Sequence, residues 1–173
     1  ELDSGEIIVR DYLPVDQNTR VGQVWNWMEE RVPSMFTEAV NRLAEDPDYI
    51  LETQSRDPKD ALRCYPRRPS DGRIDWNRSN LEILRLVNAS SEPYSGAFAE
   101  FRGKTINVWR ARLPSGDQEH CCAVPGQVAC IDPDAGDVTV ITGNGKLVIT
   151  EVEYEGTREP PARFVSSMRD RFE

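Results

Sequence analysis

The period of the apolar residues switches to two after Pro93, and that change limits the fold of this chain more than any other feature. Before it, from Arg20 to about Ala44, apolar residues recur at helical spacing: Val21, Val24, Trp25, Met28, Val32, Met35, Phe36, Val40 and Leu43. After it, short runs alternate with period two, which predicts strands over 97–102, 105–113, 126–132, 137–142 and 146–154. Arg102-Gly103-Lys104, Pro114-Ser-Gly-Asp117, Asp132-Pro-Asp-Ala-Gly136 and Gly143-Asn-Gly145 separate those runs as turns. Five short antiparallel strands joined by Gly-rich turns predict a small closed or partly open barrel. The chain is therefore α+β.

Pro33 interrupts the helical pattern and has no amide hydrogen to donate, which predicts two helices or one kinked helix. Thr19 is read as the N-cap of that region and its Trp/Met/Phe stripe as core. Residues 6–13 alternate well enough for a strand. Residues 46–70 hold four prolines among many charges and read as a linker, with one short apolar break at Tyr49-Ile50-Leu51. Ser79 is the expected N-cap of a second helix of about ten residues, with Leu81, Ile83, Leu84 and Val87 on its apolar face. A last helix is expected over 161–172, with Phe164, Val165 and Met168 turned inward.

At 173 residues the chain is long enough to bury a core. No apolar run approaches the roughly 20 residues of a membrane helix. Cys64, Cys121, Cys122 and Cys130 are irregularly spaced, and an adjacent pair makes a poor disulfide framework, so reduced thiols in the cytoplasm are expected. The net charge is −9 and is spread evenly: residues 1–70 carry 9 Lys+Arg against 14 Asp+Glu, and residues 71–173 carry 12 against 16. Phosphate contacts dominate nucleic-acid affinity, so this balance argues against tRNA and toward a small substrate, though a local basic stripe is compatible with it.

Several strings are more specific. Tyr65-Pro-Arg-Arg68 precedes Asp71-Gly-Arg-Ile-Asp75-Trp76; Pro93-Tyr-Ser-Gly-Ala-Phe98 opens the strand region; Leu2-Asp3-Ser4-Gly5 lies at the start. In this order they resemble the folate-dependent formyltransferases, a family that includes the methionyl-tRNA and nucleotide-sugar N-formyltransferases. The strongest likeness covers 65–112, a moderate one 125–155, and a brief one 1–8. Leu2–Gly5 is similar to the family's Leu-Asp-Thr-Gly loop, and 93–98 to its Pro-x-Pro-Gly-Ala-Phe.

The resemblance implies that residues 1–48 end a Rossmann-like folate-binding catalytic domain, 49–70 form a linker, and 71–173 form an OB-like antiparallel barrel. It implies 10-formyltetrahydrofolate as formyl donor, Asp3 as a catalytic carboxylate, and Leu2 and Gly5 beside the cofactor. A carboxylate there would hold the tautomer and charge of a proton-shuttling His, with an Asn amide stabilising the oxyanion. The family's Asn-x-His-x-Ser-Leu-Leu-Pro stretch is absent, so the chain is expected to be a fragment, inactive alone, whose N-terminal portion supplies them. His120, beside Cys121 and Cys122, is read as a surface residue and no metal site is expected.

Arg67 and Arg68, with Tyr65, either contact an anionic substrate between domains or form a solvated pair neutralising Asp71. The string from Asp71 to Trp76 is expected to join domains rather than touch substrate. Tyr94 and Trp109 are aromatic platforms or core. The expected acceptor is a small amine, an amino sugar linked to a nucleotide. Alternatives are methionyl-tRNA, or a non-catalytic binding module that keeps the barrel. No membrane partner is expected, and a homodimer stays open.

Overall fold

The computed structural model describes residues 5–62, 64–116 and 122–173. The chain forms two compact units. One runs up to Pro14 and from Gln23 to Arg67; the other comprises Val15–Gly22 and Arg68–Glu173.

The first unit is built on α1 (Val21–Glu45), whose first two residues belong to the second unit. The helix runs unbroken through Pro33, so of the two expected arrangements, two helices or one kinked helix, a single helix is present. Thr19 does not extend a side chain to it; its hydroxyl closes a turn with Asp16, donating to Oδ1 at 2.9 Å. The strand expected over 6–13 reduces to one antiparallel bridge between Ile7 and Glu52. Leu51 N–H donates to the Ile7 carbonyl at 2.9 Å, so the Tyr49–Leu51 break is where the chain pairs. Arg10 joins Glu52 at 2.6 Å, and Arg31 joins Asp11.

The second unit carries a six-stranded antiparallel sheet: β1 (Ala97–Phe101), β2 (Lys104–Arg112), β3 (Val128–Ile131), β4 (Val138–Ile141), β5 (Lys146–Tyr154) and β6 (Thr157–Glu159). Its order is β1-β2-β5-β4-β3, with β6 on β5. Five strands fall where period-two alternation placed them. The sixth, three exposed residues long, is too short to show a period. Strands β4 and β5 form a hairpin in which Gly143 N–H donates to the carbonyls of Trp76 and Arg78 at 2.8 and 2.9 Å. A Cβ on Gly143 would lie 1.8 Å from the Asn77 carbonyl oxygen, so only glycine fits that approach.

Helix α2 (Asn80–Ser90) lies on this sheet. Ser79 caps it as the sequence predicts: its hydroxyl accepts from Glu82 N–H, while the Glu82 carboxylate accepts from Ser79 N–H at 3.0 Å. Ile83, Leu84 and Val87 are buried against the strands, each contributing roughly 1.5–3 kcal/mol. A row of aromatic rings continues the core: Trp76, Phe172, Phe101, Tyr154 and Phe164, with successive centroids 5.1–5.6 Å apart.

The helix expected over 161–172 does not form. Pro161–Arg163 make one 3-10 turn, and after a second turn at Met168 and Arg169 the chain ends in isolated bridges. Phe172 bridges Phe101, and Arg171 bridges Gln127, while Glu173 and Glu100 exchange backbone hydrogen bonds of 2.8 Å. Sheet edges have unpaired amides and carbonyls, and this segment satisfies them on both sides. Val165 is buried as expected, but Met168 is exposed. The antiparallel sheet of the expected barrel is therefore present, whereas β1 and β3 do not pair with each other and the ladder stays open.

Candidate functional site

Leu2 and Asp3 lie outside the described residues, as do His120 and Cys121. Gly5 is exposed, and its carbonyl accepts from Gln54 Nε2 at 2.5 Å. Tyr65 is 79% exposed in a stretch without regular secondary structure. Arg67 ends the first unit and Arg68 starts the second. The Arg68 amide donates to Asp71 Oδ2 at 2.7 Å, which opens the 3-10 turn Pro69–Gly72.

The string from Asp71 to Trp76 is structural over most of its length. Gly72, Ile74 and Trp76 are buried, and Ile74 N–H donates to the Phe98 carbonyl at 2.7 Å. Asp75 accepts from both the side chain and the backbone of Asn77 at 3.0 Å. Those bonds hold its carboxyl below the usual carboxylate range. Of the two candidate platforms, Trp109 is buried and Tyr94 exposed. The Glu92–Pro93 peptide bond just before Tyr94 is cis.

In the first unit the departure from expectation lies on α1. No residue of α1 is fully buried. Trp25, Met28, Val32, Phe36, Val40 and Leu43 recur at intervals of three and four, on one face, and are 37–71% exposed. Val32 and Phe36 also line an open groove of about 410 Å³ with Ile7, Ile8 and Val9. Six of the nine residues read as core are thus exposed on α1, while Val21, Val24 and Met35 are half-buried. Periodicity reports that a face is apolar and is silent about what covers it.

In the second unit a charged ladder crosses β2, β5 and β6. Arg158 donates to Glu151 at 2.6 Å and to Glu92 at 2.5 Å; Arg110 joins Glu151 at 2.8 Å and Arg20 joins Glu92 at 3.0 Å. The hydrogen bond from Arg158 holds the Glu151 carboxyl below its usual range against partial burial. Burial pushes Glu92 the other way, and Arg158 and Arg20 together still leave it lowered. Arg102 pairs with Asp170 at 2.9 Å and Arg112 with Asp137 at 2.8 Å, so much of the positive charge here is neutralised internally.

A second groove in this unit, of about 510 Å³, lies between residues 73–77 and the segment 171–173. Sequence reading missed it because Arg73 and Arg171 meet only through the bridges of Arg73 to Phe98 and Arg171 to Gln127. Among the described residues no three His, Cys, Asp or Glu side chains could hold a metal ion, and no helix is long and apolar enough to cross a membrane.

Residues 67–169 match the family model described as formyl transferase, C-terminal domain. The chain is 29% identical over 164 residues to a methionyl-tRNA formyltransferase of Ralstonia nicotianae, covering 94% of this chain and 47% of that protein. It is 28% identical over 163 residues to the enzyme of the same description from Citrifermentans bemidjiense, covering 93% and 47%. It thus spans about half the length of these curated relatives. Its fold is similar to HypX from Aquifex aeolicus, solved in complex with tetrahydrofolic acid: the TM-score is 0.63 at 20% identity, over 97% of this chain and 28% of that one. With more than half its length matched by that model, the chain belongs to the formyl transferase family, residues 67–169 being the part that matches its C-terminal domain.

Proposed function

We propose that the intact protein moves a formyl group from 10-formyltetrahydrofolate to a primary amine. The match of residues 67–169 to the formyl transferase C-terminal domain carries this reading. In it, residues 1–48 end the folate-binding portion, residues 49–70 link the two parts, and residues 71–173 form the barrel-like domain. The amine nitrogen attacks the formyl carbon and the carbon's bond to the folate nitrogen breaks. The proton lost by the amine passes through an imidazole to that departing nitrogen. Asp3 steadies the imidazole, which an N-terminal portion supplies along with an oxyanion-stabilising amide. Leu2 and Gly5 flank the cofactor, while Tyr65, Arg67 and Arg68 meet the acceptor.

The uncovered stripe on α1 supports an incomplete first unit. Exposed apolar patches of this kind mark surfaces that another part of a protein covers. We assign that cover to the remainder of the folate-binding portion, against which Trp25, Met28 and Phe36 pack.

Methionyl-tRNA is the better supported acceptor, because the curated relatives carry that name. A nucleotide-linked amino sugar is the second reading, favoured by one observation. The arginines of the sheet are held by carboxylates at 2.5–2.9 Å, and an RNA backbone would have to displace those partners. The test is formylation by the intact protein of methionyl-tRNA and of amino-sugar nucleotides, each with 10-formyltetrahydrofolate. Turnover with methionyl-tRNA alone supports the first reading, turnover with an amino sugar alone the second, and none with either removes both.

A further inference from the structure

We propose that the groove lined by Arg73, Asp75, Asn77, Arg171 and Glu173 binds a nucleoside diphosphate or a small phosphate ester of similar size. Its volume, about 510 Å³, lies within the range of small-molecule sites. Arg73 and Arg171 are exposed on its rim, and among the described residues neither guanidinium pairs with a carboxylate. This sets them apart from Arg102, Arg110, Arg112 and Arg158, which all hold acidic partners. Two arginines without acidic partners lining one groove suit the oxygens of a diphosphate.

The second observation is independent of charge. Trp76 lines the same groove, is 4% exposed, and its indole Nε1–H has no hydrogen-bond acceptor. Buried donors left unpaired are uncommon and costly, and an acceptor brought by a ligand satisfies this one once the rim shifts to admit it. Ile74 and Pro125 add an apolar wall, which a nucleoside uses and inorganic phosphate does not. Two carboxylates also line the groove. Asp75 is already engaged by Asn77, with Arg78 at 3.8 Å, while Glu173 opposes an anion and sets a limit on affinity.

The site lies within the second unit, so its occupancy is measured on the full chain without any formyl donor. That separates its failure from failure of the proposed function. The probes are uridine and adenosine diphosphate, titrated calorimetrically and by the Trp76 indole proton resonance. Saturable binding at roughly millimolar concentration or below is expected, with that resonance moving. Arg73→Gln and Arg171→Gln should each weaken binding about tenfold, whereas Arg110→Gln, outside the groove, should not. All three positions are at the surface, and circular dichroism confirms that the variants fold. No saturable binding, binding indifferent to both groove arginines, or a Trp76 resonance that does not move overturns the proposal. Binding of a short RNA with the same arginine dependence, and of neither nucleotide, also overturns it by assigning the phosphates to RNA.

Discussion

The Arg158 guanidinium lies over the indole of Trp109, its carbon 4.6 Å from the ring centroid. The same group donates to Glu151 and Glu92, and Trp109 Nε1 donates to Glu153 at 3.0 Å. One planar cation thus ties β6 to β5, to the ring on β2 and to the turn before β1. Arg158→Ala should destabilise the second unit by about 1–3 kcal/mol, read by denaturant unfolding, with a red shift of Trp109 emission. Arg158→Lys should recover only part of that loss, because an ammonium cannot fork between two carboxylates and stack on a ring. Full recovery by lysine would reduce the arrangement to a point charge.

The ladder also sets a pH dependence. Glu151 and Glu92 are both held below the ordinary carboxylate range, so their contribution is complete above the unfolded value and disappears as pH falls through the lowered folded value. The melting temperature should therefore fall between about pH 5 and pH 3, and fall less steeply in Glu151→Gln. Parallel acid limbs in the two proteins would mean that other groups control acid unfolding.

Two glycines should be intolerant of a methyl group for stated geometric reasons. A Cβ on Gly143 would meet the Asn77 carbonyl oxygen at 1.8 Å, and one on Gly126, whose φ is +86°, would meet that of Phe172 at 2.0 Å. Replacing either by alanine should cost more than about 2 kcal/mol. Gly116→Ala, with nothing within 4 Å, should be nearly neutral. Equal tolerance at all three would contradict the hairpin and the C-terminal bridges.

The second helix supplies a calibration. Ser79→Ala removes one half of a capping box and should cost about 1 kcal/mol, while Leu84→Ala opens a cavity in the sheet core and should cost about 2–5 kcal/mol. Thermal unfolding of both variants gives the order directly.

Much of this second unit was legible in the sequence. Alternation placed β1 to β5 within two residues, and Ser79 with Glu82 marked the start of α2. The misses share a cause. At Ile7–Glu52 and at Phe172, isolated bridges hold the chain where a strand or a helix was expected, and pairing with distant residues leaves no local period. The α1 stripe was read as core because a helical moment identifies an apolar face without its partner. Arg73 and Arg171 are 98 positions apart, and only the folded sheet edge brings them to one groove.

For the chain by itself, Trp25→Ser and Phe36→Ser on the exposed face of α1 should change stability by less than about 1 kcal/mol, since neither side chain is buried there. In the intact protein the same changes should lower the melting temperature and formylation together. The most direct test of the account measures transfer of labelled formyl groups from 10-formyltetrahydrofolate by intact protein, wild type and Phe36→Ser, with methionyl-tRNA and amino-sugar nucleotides offered separately. The account predicts turnover by the wild type with one of these amines and a marked loss in the variant. No transfer to either amine, or full activity with Phe36 replaced, would contradict it.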